Sequence, residues 1–291
     1  KVTIHGARLL GGGASVERVD LAGVTAQLVS ASDDVIKIVV ARAATAGAGD
    51  IVVTSNTGAI VTGINAFTYV TEGSVASIVP AEGQIGTQVV IEGSGLRGGG
   101  FRIVQVILDG TSVPEITSES DTSVLVVVDH AAPSDSAGDV VLRADTGAVV
   151  TQADGWSYLE RGSVSSVFPA TGQFDTRVTV NGERLRGGGD HVAKVLIGAN
   201  EATLVDETDT EVSCTAPHGT AGGADVVLIA DSYAMVSLVN GFTFLPEGIV
   251  TGLEPRSGQY GTRVVITGSN LLGHGTAVES VTLDGNSVST V

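Results

Sequence analysis

Cys214 and His218 are the residues of this chain that come nearest to a nucleophile with its base. A thiol attacks only as the thiolate, and a Cys–His pair needs a third group to orient the imidazole. Cys214 lies in EVSCTAP, an alternating segment whose period of two places the thiol on one face of a strand. The expectation is an inert core thiol. His5, His130, His191 and His274 neither cluster nor recur in register, and metal ligation or general-base work needs companions. Gly93-Ser-Gly95-Leu-Arg-Gly98 matches the pattern GxGxxG. A dinucleotide loop must open a helix that aims its amides at the pyrophosphate, whereas this one runs into FRIVQVILDG, another strand. Calcium asks for about six to eight oxygens, and Asp33-Asp34, Asp121 and Asp206-Glu-Thr-Asp209 lack a calcium-loop spacing. Aspartate also suits turns, through hydrogen bonds to its own backbone. Glu72, Glu160 and Glu247 leave room for a weak Ca²⁺ site where one unit meets the next. The residues therefore predict no catalytic, cofactor-binding or metal-binding set.

The charge balance narrows the partners. Thirty-two acidic against 15 basic residues give a formal net charge of −17. Such a surface repels nucleic-acid phosphates and anionic membranes. No apolar run approaches the roughly 18 residues of a membrane helix; the longest, Val124 to Val128, has the length of a buried strand. One cysteine rules out an intrachain disulfide without bearing on secretion. None of the seven asparagines stands in an N-x-Ser/Thr triplet, so N-linked glycans are not expected. Hydrophobic residues make up 43% of the chain but aromatics only 4%, and the β-branched content favours strands. The 40 glycines are dispersed, as turn punctuation is.

The elements that would position any site come in copies. KVTIHGARLLGGG (from Lys1) returns as QVVIEGSGLRGGG (from Gln88), RVTVNGERLRGGG (from Arg177) and RVVITGSNLLGHG (from Arg263). The first glycines, Gly6, Gly93, Gly182 and Gly268, are spaced by 87, 89 and 86 residues. SVASIVPAEGQIGT, SVSSVFPATGQFDT and IVTGLEPRSGQYGT precede the last three copies. Phe67-Thr-Tyr69, Trp156-Ser-Tyr158 and Phe242-Thr-Phe244 close three units, which places Trp156 in a core slot shared with Phe67 and Phe242. Repeats of this length are supersecondary units that stack. Each holds about seven short apolar or alternating runs, broken by Gly, Asp, Asn or Ser every 8 to 12 residues, the pattern of a β-sandwich. No stretch keeps a 3.6-residue period, so helix is not expected.

The boundaries that follow are 1–72, lacking its first strand; 73–161 and 162–247, complete; and 248–291, the N-terminal half of a further unit. Both end pieces are expected to need more chain to close their cores. The two complete units carry charges of −8 and −7, so acidity is spread along the array. Val70-Thr-Glu-Gly73, Leu159-Glu-Arg-Gly162 and Leu245-Pro-Glu-Gly248 are the only junctions. They are too short to behave as flexible coil, which predicts units set end to end as a stiff rod. The triplets Gly11-Gly-Gly13, Gly98-Gly-Gly100 and Gly187-Gly-Gly189 answer a demand for positive φ or close backbone approach, with a contact between neighbouring units as a second role.

The pattern SVxxIxPxxGxxGTxVxIxGxxL, followed by VxLDG and an F-T-Y close, resembles the IPT/TIG family of immunoglobulin-like domains, the type found in plexins and in transcription factors. Pro80, Gly83, Thr87 and Gly93 carry it, as do Pro169, Gly172, Thr176 and Gly182, and Pro255, Gly258, Thr262 and Gly268. Leu9, Leu96, Leu185 and Leu271 stand where members commonly carry an aromatic. The resemblance implies all-β tandem sandwiches in one of three settings: surface receptors and adhesion proteins, Rel-type transcription factors, or accessory modules of carbohydrate-active enzymes. Acidity opposes DNA binding. The expectation is thus a non-enzymatic, extracellular or cell-surface structural and adhesive protein, forming a stalk, surface fibre or filament. The alternative is an accessory, non-catalytic region of a large receptor or carbohydrate-active enzyme. Expected partners are neighbouring repeats, further copies joined at sheet edges, other surface proteins, or glycans. Neither nucleic acid nor membrane insertion is expected.

Overall fold

Alternation of β-branched and polar residues lays the large side chains of a strand on one face and its Ser, Thr and charged residues on the other. In the computed structural model, which describes residues 1–288, the apolar runs form strands, and no helix occurs among the described residues. The chain divides into two bodies. One holds Lys1–Glu82 and Gln88–Tyr158; the other holds Gly83–Thr87 together with the chain from Leu159 onward.

In the first body, repeat 73–161 shows the plan. One sheet runs in the order Glu115–Glu119, Ser123–Val127, Gln88–Ser94 and Ser74–Val79. The facing sheet contains Thr111–Ser112, Ile103–Leu108, Gly138–Ala144 and Val149–Tyr158 in that order. These pairings are antiparallel. Val89, Ile91, Val124 and Val126 from one sheet meet Val106, Leu108, Val140, Leu142 and Trp156 from the other, all without solvent exposure. Trp156 and Tyr158 pack edge to face with ring centres 5.7 Å apart, an arrangement aromatic quadrupoles favour.

Repeat 162–247, in the second body, repeats this plan with one change. Its strand Asn200–Glu207 is continuous: Asn200–Ala202 pairs with Val192–Ile197, and Thr203–Glu207 pairs with Glu211–Thr215. The two sheets therefore join into a single eight-stranded one. The corresponding stretch of repeat 73–161 is cut by Pro114 between Thr111–Ser112 and Glu115–Glu119; proline has no N–H for the ladder. The same strand turns tightly. Asp109-Gly110, with φ of 43° and 77°, makes the two-residue hairpin loop that needs positive φ at both positions.

The end units show fewer strands. In 1–72 one sheet is Val2–His5, Val35–Val39 and Gln27–Ala31, with Val2–His5 at its edge. In 248–288 only the hairpins Ile249–Glu254 with Val265–Ser269 and Thr282–Leu283 with Asn286–Ser287 form. Val250 and Val265 remain 63% exposed there. Residues 289–291 of that unit lie outside the described residues.

Candidate interaction site

The chemistry-bearing residues are occupied structurally. Cys214 is 1% exposed, inside the apolar cluster of repeat 162–247. Burial pushes its thiol up to about 11, so the nucleophilic thiolate is disfavoured. His218 turns elsewhere: its ring stacks on Phe174 with centres 3.7 Å apart, and Nδ1 lies 2.8 Å from Glu247 Oε1. The GxGxxG segment forms a turn. Gly95 and Gly98 have φ of 61° and 52°, and the chain continues into strand Ile103–Leu108, so no helix N-terminus stands over the loop.

The acidic turns hold the glycine-rich loops in place. Asp33 Oδ1 accepts the N–H of Leu10 at 3.2 Å, Asp121 Oδ1 that of Arg97 at 3.0 Å, and Asp209 Oδ1 that of Arg186 at 3.0 Å. Asn56, Asp145 and Asp231 receive the amide that follows each glycine triplet, from Ala14, Phe101 and Asp190. Among the described residues no group of three or more His, Cys, Asp or Glu side chains could hold a metal ion. Each loop also carries an ion pair in the two complete repeats. Arg97 Nε and Nη2 grip both carboxylate oxygens of Glu119 at 2.8 and 3.1 Å, and Arg186 grips Glu207 at 2.9 and 3.0 Å. Bidentate geometry strengthens such pairs. The hydrogen bond from Arg186 holds the Glu207 carboxyl below its usual range.

The loops face the junctions. A Cβ on Gly99 would lie 3.1 Å from Val70 Cγ2, and one on Gly188 would collide with Leu159. The second glycine of these two triplets thus gives room to the apolar residue that opens the junction, whereas Gly12 has nothing within 4 Å. The first contact lies within the first body and the second within the second.

A glutamine that recurs in three repeats completes this arrangement. In each G-Q-x-x-T segment the Gln N–H donates to the Thr hydroxyl, at 3.2 Å for Gln84, 3.1 Å for Gln173 and 2.9 Å for Gln259. This closed turn leaves the amide side chain free to reach out. In the second body Gln84 Oε1 accepts the N–H of Gly162 at 2.6 Å, and its Nε2 donates to the Met235 carbonyl at 3.1 Å. Gln84 is 2% exposed. Gln173 Oε1 accepts the N–H of Gly248 at 2.9 Å. Gly162 and Gly248 are the last residues of their junctions, and neither tolerates a side chain. A Cβ on Gly162 would lie 2.6 Å from Val236 Cγ2, and one on Gly248 would lie 2.6 Å from the Asn270 carbonyl oxygen. The signal was present in the sequence as a Gln at the same place in three repeats. Its role was hidden because the partner is a backbone amide, which carries no residue signature. The stacking of His218 on Phe174 and its contact with Glu247 were hidden for a similar reason: the three residues are far apart in the chain.

A family model described as the IPT/TIG domain matches residues 74–157 and, a second time, 163–244. No curated protein matches the chain. Among solved structures it is similar to the full extracellular region of plexin A4, at 13% identity and a TM-score of 0.43, over 87% of this chain and 28% of that one. It is similar to SGBP-B of the Bacteroides ovatus mixed-linkage glucan utilization locus, at 16% identity and a TM-score of 0.26, over 81% and 61%. The surface glycan-binding protein PbSGBP-B from Prevotella bryantii aligns at 14% identity and a TM-score of 0.26, over 58% and 42%. The chain spans less than a third of the plexin region and less than two thirds of either glycan-binding protein.

Proposed function

The chain belongs to the IPT/TIG domain family, and on that footing we propose that it is a non-enzymatic spacer. It would act outside the cell or at its surface as a stiff stalk, surface fibre or filament with an adhesive role. The observation that carries this reading is the recurring glutamine: Gln84 and Gln173 each bind the last residue of a junction, Gly162 and Gly248. A coil linker would leave these amides to water. Here a side chain anchored by its own turn takes them, so the junction loses conformations that a flexible linker keeps. Distributed acidity suits a solvated rod, and an inert thiol and dispersed histidines suit a part without chemistry. Small-angle X-ray scattering of the 1–291 chain, backed by electron micrographs, tests stiffness. The expected particle is extended, with a cross-section near that of one sandwich. A scattering curve fitted only by freely hinged beads would remove the stalk. Micrographs with only isolated single rods would remove lateral assembly.

A further inference from the structure

Val124 to Val128 is the longest apolar run of the chain, and the core of repeat 73–161 accounts for only half of it. A strand with one covered face alternates apolar and polar residues, whereas a strand covered on both faces reads as a continuous apolar run. The strands at the same place in the other repeats do alternate, as Ile36-Lys37-Ile38 and as Val212-Ser213-Cys214-Thr215. In repeat 73–161, Val124 and Val126 enter the core without solvent exposure. Leu125 and Val127 therefore stand on the outer face of the sheet, where both are only half-buried.

Strand register extends this face. Leu125 lies opposite Val90, and Val90 opposite Val79, so three apolar side chains form a row across the sheet. Val79 is 62% exposed. Val127 stands in the next row, between Gln88 and Glu115. The other repeats place polar residues at the centre of the row: Ser213 and Thr179 in 162–247, Lys37 and Thr3 in 1–72. The rim in repeat 73–161 is acidic. Glu115 flanks the apolar row on one side and Glu92, opposite Ser123 and Ser77, flanks it on the other. Both glutamates are exposed, and no Lys or Arg occupies these three rows. All of these residues belong to the first body.

We infer that this outer face is a docking surface for another protein. Its occupant is an extended segment with branched apolar residues along one face and Lys or Arg at both ends. The row Val79, Val90 and Leu125 supplies apolar area whose removal from water drives contact. Glu92 and Glu115, on opposite sides of the row, select cationic flanks. A second copy of the same face would set its own glutamates against these two, a like-charge arrangement that disfavours self-association.

The probe is a fluorescent peptide, KKVTVTVKK, which as a strand sets three valines between lysines on one face. Titrated into the 1–291 chain and followed by anisotropy, it should bind saturably and one to one. Val90→Thr, Leu125→Ser and Val127→Thr together give the face the residues of repeat 162–247 and leave the core side chains untouched. That variant should bind about tenfold or more weakly while unfolding at the parental urea midpoint. Glu92→Lys with Glu115→Lys, both at exposed positions, should weaken KKVTVTVKK and strengthen the peptide EEVTVTVEE. Absence of saturable binding would overturn the proposal, as would affinities unchanged by the glutamate reversals. Equal affinity of parent and polar-face variant would reduce the binding to bulk attraction by an acidic chain and overturn it too. A dimer of the parent chain in sedimentation, lost in the polar-face variant, would assign the face to a second copy and likewise overturn it.

Discussion

A glycine can be demanded by shape or by backbone angle, and this chain separates the two. At Gly182 an added Cβ would collide with the carbonyl of Ser163, although φ is ordinary there. At Gly110 the φ of 77° is left-handed, yet nothing lies within 4 Å of the added atom. Gly182→Ala must push the opening strand off its partner, an overpacking that costs about 1–3 kcal/mol. It also places Leu185, whose Cδ2 would be 2.6 Å away, under the same pressure. Gly110→Ala meets only the left-handed penalty, about 1–2 kcal/mol, on a solvent-exposed hairpin. Urea unfolding of the 1–291 chain should show a larger loss for Gly182→Ala, and loss of the Ser163–Phe168 pairing by hydrogen exchange for that variant alone. Equal losses with pairing intact in both would mean that the strand contact is not what holds this position.

Elements were legible in the sequence where a residue type answers a local demand, and illegible where a partner lies elsewhere. The hairpin Asp109-Gly110, the closing pair Trp156 and Tyr158, and the strand after each glycine triplet follow from φ, burial and period. The joining of two sheets by Asn200–Glu207 does not, since the corresponding stretch of repeat 1–72 also lacks proline and is still split between Val24–Thr25 and Gln27–Ala31. The loop clamp was also hidden. Arg97 and Arg186 are each bound to a glutamate about 20 residues further along the chain, a partner their own segments do not name. The first repeat has Leu10 at the arginine's place and no such clamp. Glu207 is the member with a resolved consequence. Its folded carboxyl titrates below its unfolded one because Arg186 stabilises the carboxylate. The resulting stability is full above the unfolded value of about 4.3 and disappears as pH falls through the lower, folded value. Glu207→Gln should therefore be less stable than the parent near neutrality, and the two unfolding curves should converge toward pH 3. A gap that stays constant down to that pH would assign the effect to packing.

At the scale of the whole chain, what matters is whether junctions carry load or merely connect. Short junctions allow either, since three or four residues can still pivot at one peptide. The proposal of stiff junctions turns on the glutamines, each of which binds the last residue of a junction. The two sites differ in burial: Gln84 is almost completely enclosed and bonds through both ends of its amide, whereas Gln173 is half-buried and bonds to Gly248 through Oε1. A buried N–H left without its acceptor costs about 1–3 kcal/mol, and a partly wet hydrogen bond contributes about 0.5–1.5 kcal/mol. Gln84→Ala should therefore disturb its junction more than Gln173→Ala disturbs the other. Hydrogen exchange reads this directly: the Gly162 amide should speed up roughly 5- to 30-fold or more in the first variant. The Gly248 amide should change by a smaller factor in the second. Exchange within the cores around Trp156 and Phe242 should stay as it was, because neither glutamine contributes to them. If both glycine amides exchange at parental rates in the variants, the glutamines do not hold these two junctions. If instead the core amides accelerate together with the junction, the glutamine is part of the domain's own stability, and it does not support the proposed stiffness of the array.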